Sequence, residues 1–230
     1  MNSVVMEIGK KELKTTFKNK AIIVPLLLAV GIPIFSLVPQ LSKAVAEGEI
    51  ASVYLLLFML LLIPTVMASM VGMNAFLNEI KWRTIKSLLV APVSEKEIFM
   101  GKSLASITTG LIVEICLVVL ILVFFPIVVD IPILIILLVI GPLLVLFATF
   151  LIIAATSRFP SSAEGGAAGF IPVGGVLAVF FLGFFLLSLL KIDDPTLTNI
   201  IIALIVAGIT FVTYIIATKW FNRERLVVGL

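Results

Sequence analysis

Charged residues along this chain fall in short clusters, and between the clusters lie long runs that carry none. Residues 1–20 are polar and basic, after which Ala21 to Gln40 and Ile50 to Asn78 are free of charge. Glu79 to Lys102 is the most charged stretch, and it gives way to Ser103 to Val129, where Glu114 is the one charged side chain. Beyond Asp130, three more uncharged runs follow: Ile131 to Ser157, Gly165 to Leu190 and Pro195 to Thr218, separated by the breaks Arg158 to Glu164 and Lys191 to Asp194. Each run reaches the ~20 residues that a helix needs to cross a ~30 Å hydrocarbon core. None alternates apolar and polar positions as a barrel strand does. The pattern predicts an all-α integral membrane protein, one domain over residues 1–230, with six transmembrane helices.

Proline refines the picture. Pro25, Pro33 and Pro39 lie in the first run and Pro64 in the second. Neighbouring helices can re-satisfy the carbonyls that proline frees, so a kink is expected at Pro33 and an ending at Pro39. Spans three and four are expected to form a helical hairpin, turning tightly near Pro126 to Pro132.

Composition supports the membrane reading. Hydrophobic residues make up 62% of the 230 and charged ones 13%, about half the charge of an ordinary soluble domain, and the mean hydropathy is +1.32. Histidine is absent and Cys116 stands alone, which removes the commonest neutral-pH base and any internal disulfide. The charge balance of +3 reports orientation more readily than nucleic-acid binding. With a cytoplasmic N-terminus, fourteen bases fall inside, in segments 1–20, 79–102, 158–164 and 219–230, and only Lys43 and Lys191 fall outside. That asymmetry favours an even number of spans, with both termini cytoplasmic. Ala44-Val45-Ala46 has the form of a signal-peptide cleavage site, but the apolar run before it exceeds the usual 7 to 15 residues, so span one is expected to be retained.

The segment Glu79 to Lys102 reads EIKWRTIKSLLVAPVSEKEIFMGK. Ile85, Leu88 and Leu89 recur at helical spacing and Pro92 ends that turn. Ser94 with Glu97 forms a capping box for the next helix, so two short helices with an elbow are expected. A solvated loop whose bases merely hold the topology explains the same residues, and physics alone leaves both readings open.

In order, Glu79, Arg83-Thr84-Ile85, Leu88-Leu89, Ala91-Pro92-Val93-Ser94, Glu97-Ile98 and Gly101-Lys102 resemble the cytoplasmic loop of ABC-2 type permeases, the membrane subunits of one class of ATP-binding cassette exporters. The six-span plan and basic N-terminal helix fit that family too. Lys86 stands where the family often has an acid, and Trp82 where it has small or basic residues. The resemblance implies a permease subunit that is not itself an enzyme and binds no cofactor. It would work as a homo- or heterodimer on two copies of a separate ATPase, which holds the ATP and Mg. The chain has no G-x-x-x-x-G-K-[ST] phosphate loop. Glu79, Trp82, Arg83, Thr84, Ile85, Leu88, Leu89, Pro92, Ser94, Glu97 and Lys102 become candidates for ATPase coupling, moved when nucleotide closes the partner.

Other features carry less specific signals. At 100° per residue Lys10, Lys11, Lys14 and Lys18 form one basic stripe, with Val5, Ile8 and Thr15 on the other side. Such a helix suits the membrane surface, bordering the ATPase and anionic lipid headgroups; topology-setting charge explains it equally well. Glu114, about three helical turns from Lys102, would be costly to bury ionised and unpaired, and so points to an internal site or to interhelical packing. An ion-gradient-driven transporter or channel using Glu114 is the rival function, although two related halves and further intramembrane charges would be expected of it. No second carboxylate or histidine stands near Glu114 in sequence to suggest a metal site. Gly165-x-x-x-Gly169 with Gly174 and Gly175 gives span five a small-residue face suited to a close helix crossing.

Overall fold

The structure, a computed structural model, describes residues 3–18, 20–81, 94–124, 130–159, 170–190 and 194–221. All its regular elements are helices: α1 (Ser3–Lys18), α2 (Lys20–Glu47), α3 (Ile50–Lys81), α4 (Glu95–Phe124), α5 (Ile131–Arg158), α6 (Phe170–Leu190) and α7 (Pro195–Trp220). Among the described residues, four stretches are long and apolar enough to cross a membrane: Ser52–Ala75, Glu95–Val123, Ile131–Arg158 and Pro195–Trp220. Phe170–Gly183 is a shorter apolar stretch.

Helix ends follow local chemistry. Asp194 caps α7, accepting from the Thr196 N–H at 2.9 Å, and Pro195 follows at the first helical position, where its missing N–H costs nothing. Between α2 and α3 the chain reverses at Gly48, whose φ of 70° needs glycine. There the Gly48 and Glu49 N–H groups donate to the carbonyls of Val45 and Ala44, closing the end of α2.

Two expectations about prolines and boundaries need correction. Helix α2 does not end at Pro39 but runs on to Glu47, so most of the segment Leu41 to Glu49 is helix rather than outer loop. The reason lies in packing: Leu41 and Ala44 are buried with Val53, Leu56 and Leu57 of α3, and their burial outweighs one lost backbone bond. Likewise the helix that Ser94 caps is not a short separate one, for α4 continues from Glu95 into the apolar run as far as Phe124. The tight turn expected between spans three and four lies outside the described residues, which resume at Asp130.

Contacts fix the directions of the helices. The Ser106 hydroxyl of α4 donates to the Ala68 carbonyl of α3 at 2.6 Å and lies 3.0 Å from the Thr149 hydroxyl of α5. Gly110 meets Ala68 and the Pro64 carbonyl on one side and Val145 on the other. Residue numbers therefore fall along α3 and α5 as they rise along α4. Helix α7 runs parallel to α5: Asn199 donates to the Pro132 carbonyl at 3.0 Å, and Tyr214 packs on Phe150 with ring centroids 5.2 Å apart.

A large apolar core joins α2 to α7, and a smaller one collects Phe99, Ile152, Ile153, Ala217 and Phe221 where α4 begins and α5 and α7 end. Helix α1 packs at this second end, against the first turns of α4. Gly9 and Gly101 permit the crossing, since a methyl group on Gly101 would lie 2.6 Å from the Ile8 side chain and one on Gly9 3.0 Å from Leu104.

Candidate functional site

Helix α4 starts as its sequence requires. The Ser94 hydroxyl accepts from the Glu97 N–H at 3.3 Å, while the Glu97 carboxylate accepts from the Ser94 N–H at 2.9 Å and from its hydroxyl at 2.8 Å. This reciprocal pair satisfies donors that a helix start leaves open. Ser94 and Glu97 are thereby fixed at the mouth of the segment 82–93. Trp82, Arg83, Thr84, Ile85, Leu88, Leu89 and Pro92 lie outside the described residues, and Glu79 belongs to the last turns of α3.

Lys102, the final residue of the candidate segment, is 1% exposed. Its ammonium donates to the Ala75 carbonyl of α3 at 2.5 Å and to the Glu12 carboxylate of α1 at 3.2 Å. One side chain thus ties together α1, α3 and α4. The ends of α3 and α4 that flank residues 82–93 are held at a fixed separation, and α1 is fastened to both. A pair this buried has to be complete, because either charge alone would be left without compensation.

Glu12 is the functional candidate that sequence reasoning missed. A signal was present: Glu12 falls seven residues after Val5 and three before Thr15, so it sits apart from the lysines on the helical wheel. Val5, Gly9, Glu12 and Thr16 form the buried face of α1. Lys10, Lys11, Lys14 and Lys18 are all exposed, as their common stripe implied. Thr15, expected opposite them, is exposed on the flank instead, its hydroxyl donating to the Lys11 carbonyl at 2.9 Å; that bond meets its polar need without burial.

No family model matches this chain, and no curated protein does.

The second candidate lies deeper. Lys102, Ser106, Gly110 and Glu114 recur every four residues on the face of α4 that meets α3 and α5. Glu114 is 3% exposed, and neither carboxylate oxygen has a hydrogen-bond partner among the described residues. The carboxyl occupies the space in front of Gly141, where any Cβ would overlap it, and Leu61 of α3 closes the other side. Just before Gly141, Ile136–Ile140 forms a π-helical turn, with the Gly141 N–H bonded to the Ile136 carbonyl; Pro142 comes next. Such wide turns inside helices are frequent at functional sites. Among the described residues no group of three or more His, Cys, Asp or Glu side chains is placed to hold a metal.

Of the glycines expected to make a close helix crossing, Gly165 and Gly169 lie outside the described residues. Gly174 faces open space, and only Gly175 makes a close crossing, against Leu151 and Phe147 of α5. Successive residues point about 100° apart on a helix, so one of the pair meets α5 and the other does not.

Proposed function

We propose that this chain is the membrane subunit of an ATP-binding cassette exporter of the ABC-2 permease type. In this reading it has six spans with both termini in the cytoplasm of a cell membrane, and it pairs with a second permease subunit above two ATPase subunits. The observation that carries the proposal is the ordered match from Glu79 to Lys102, whose last residue is fastened to α1 by a buried ion pair and to α3 by a hydrogen bond. A docking segment is useful only if its displacement reaches the spans, and the Lys102 junction supplies a stiff base for that. Ile85, Leu88 and Leu89 supply apolar side chains to fill a groove on the ATPase. The substrate path would form between the permeases as nucleotide closes the ATPases.

Two experiments test this. With single cysteines in place, an impermeant maleimide added from outside should label positions beside Lys43 and Lys191 but not those beside Lys86, Arg158 or Arg223. Labelling beside Lys86 would contradict the six-span arrangement. Co-reconstitution with a candidate phosphate-loop ATPase should give tight association and ATP turnover that depends on this chain.

Glu114, buried without a described partner, favours a second reading, in which an ion gradient drives transport through that carboxyl. Gradient-driven flux in liposomes lacking any ATPase, lost on Glu114→Gln, would support it over the first.

A further inference from the structure

The surface of α1 has three sectors. One, Val5, Gly9, Glu12 and Thr16, packs on the bundle. A second is the exposed stripe of Lys10, Lys11, Lys14 and Lys18. The third is apolar and only partly covered: Met6, Leu13 and Phe17 share a sector at i, i+7 and i+11, with Met6 37% and Phe17 48% exposed and Leu13 of intermediate exposure. Pinning α1 by Glu12 and Lys102 leaves both remaining sectors facing away from the bundle. Of the two acids of α1, Glu12 is turned inward and paired with Lys102, while Glu7 stays exposed among the lysines; four lysines against one glutamate leave that face cationic.

We propose that this outward face of α1 binds the anionic headgroups of the surrounding bilayer, with Met6, Leu13 and Phe17 set into the acyl boundary and the lysines on lipid phosphates. An apolar sector beside a basic one is the pattern of a helix lying in the interface plane. Two features favour lipid over a protein partner as occupant. Lys18 and Lys20 flank the junction at which the long apolar helix α2 begins. At the same end of the bundle, exposed Phe159 and Trp220 stand beside exposed Arg158 and Lys219, the aromatic and basic composition typical of headgroup depth. The inference rests on the membrane character of the chain and not on its ATPase partner.

The test uses the full chain in nanodiscs of phosphatidylcholine containing phosphatidylglycerol. Native mass spectrometry should show the wild type retaining phosphatidylglycerol in preference to phosphatidylcholine. The preference should fall by about fivefold per lysine removed as Lys10, Lys11, Lys14 and Lys18 are changed to Gln. It should also weaken as salt rises from ~0.1 to ~1 M, where screening shortens from ~10 to ~3 Å. A bimane attached at Phe17→Cys, in a Cys116→Ser background, should be quenched by headgroup-linked nitroxide and little by aqueous iodide. Unchanged lipid preference in the four-lysine variant, or a bimane quenched by iodide alone, would overturn the proposal. If the lysine changes abolish association with the ATPase while lipid preference persists, the basic face meets an acidic protein surface instead, and the lipid assignment is wrong.

Discussion

Among the described residues two glutamates are buried, and they live in opposite circumstances. Glu12 reaches the Lys102 ammonium at 3.2 Å, where three helices converge near one end of the bundle. Glu114, three turns further along the same face of α4, meets a glycine, a leucine and no described donor. A paired carboxylate earns its burial by holding elements together. A carboxyl without a partner lowers stability and is retained for some other reason, such as binding, gating or packing choice. The difference separates a structural junction beneath the candidate docking segment from a candidate working site inside the spans.

The largest effect should come from breaking the paired site. Lys102→Met leaves Glu12 buried opposite an apolar side chain and takes the donor from the Ala75 carbonyl, a loss of roughly 3–5 kcal/mol. Denaturant unfolding in detergent, read by helical circular dichroism, measures it. A loss under ~1 kcal/mol would mean that the junction is loose or hydrated. Smaller effects belong to the unpaired site. Gly141→Ala puts a methyl group onto the Glu114 carboxyl, an overpacking expected to cost about 1–3 kcal/mol. Shortening the acid in the double variant Glu114→Ala/Gly141→Ala should recover much of that, as a coupling energy; strict additivity would show that the two groups do not touch. Smallest is Glu114→Leu. A carboxyl engaged in hydrogen bonds would rank Gln above Leu, but with no described bond to lose, the Leu variant should be as stable as the wild type or more so.

The sequence disclosed what depends on nearby residues or on long periodicity. The capping box of Ser94 and Glu97 spans three positions, and its geometry follows from the chain itself. The apolar runs marked the helices, because twenty uncharged residues have few other uses. What escaped involves separation. Lys102 and Glu12 are ninety positions apart, so the pattern of α1 showed a basic stripe without revealing that its odd acid had a partner. The end of α2 was misplaced because Pro39 is a local signal, whereas the packing of Leu41 and Ala44 on α3 is a tertiary one. The π-helical turn at Ile136–Ile140 lies in a uniformly apolar stretch in which no single residue announces a change of pitch, and only Gly141 and Pro142 hint at it.

The most direct test of the proposed function replaces Leu88 and Leu89 together with Ala. If both side chains fill a groove on the ATPase, they contribute on the order of 2–4 kcal/mol of apolar contact, and their loss should weaken association by about one to three decades. The spans, the capping box and the Lys102 junction are untouched, so membrane insertion and the unfolding midpoint should stay at the wild-type value. Co-purification with a candidate phosphate-loop ATPase in detergent, with ATP turnover followed alongside, reads the outcome. The account predicts an inserted, stable chain that no longer holds its ATPase; wild-type binding and turnover in the double variant would contradict it and leave residues 82–93 without a docking role.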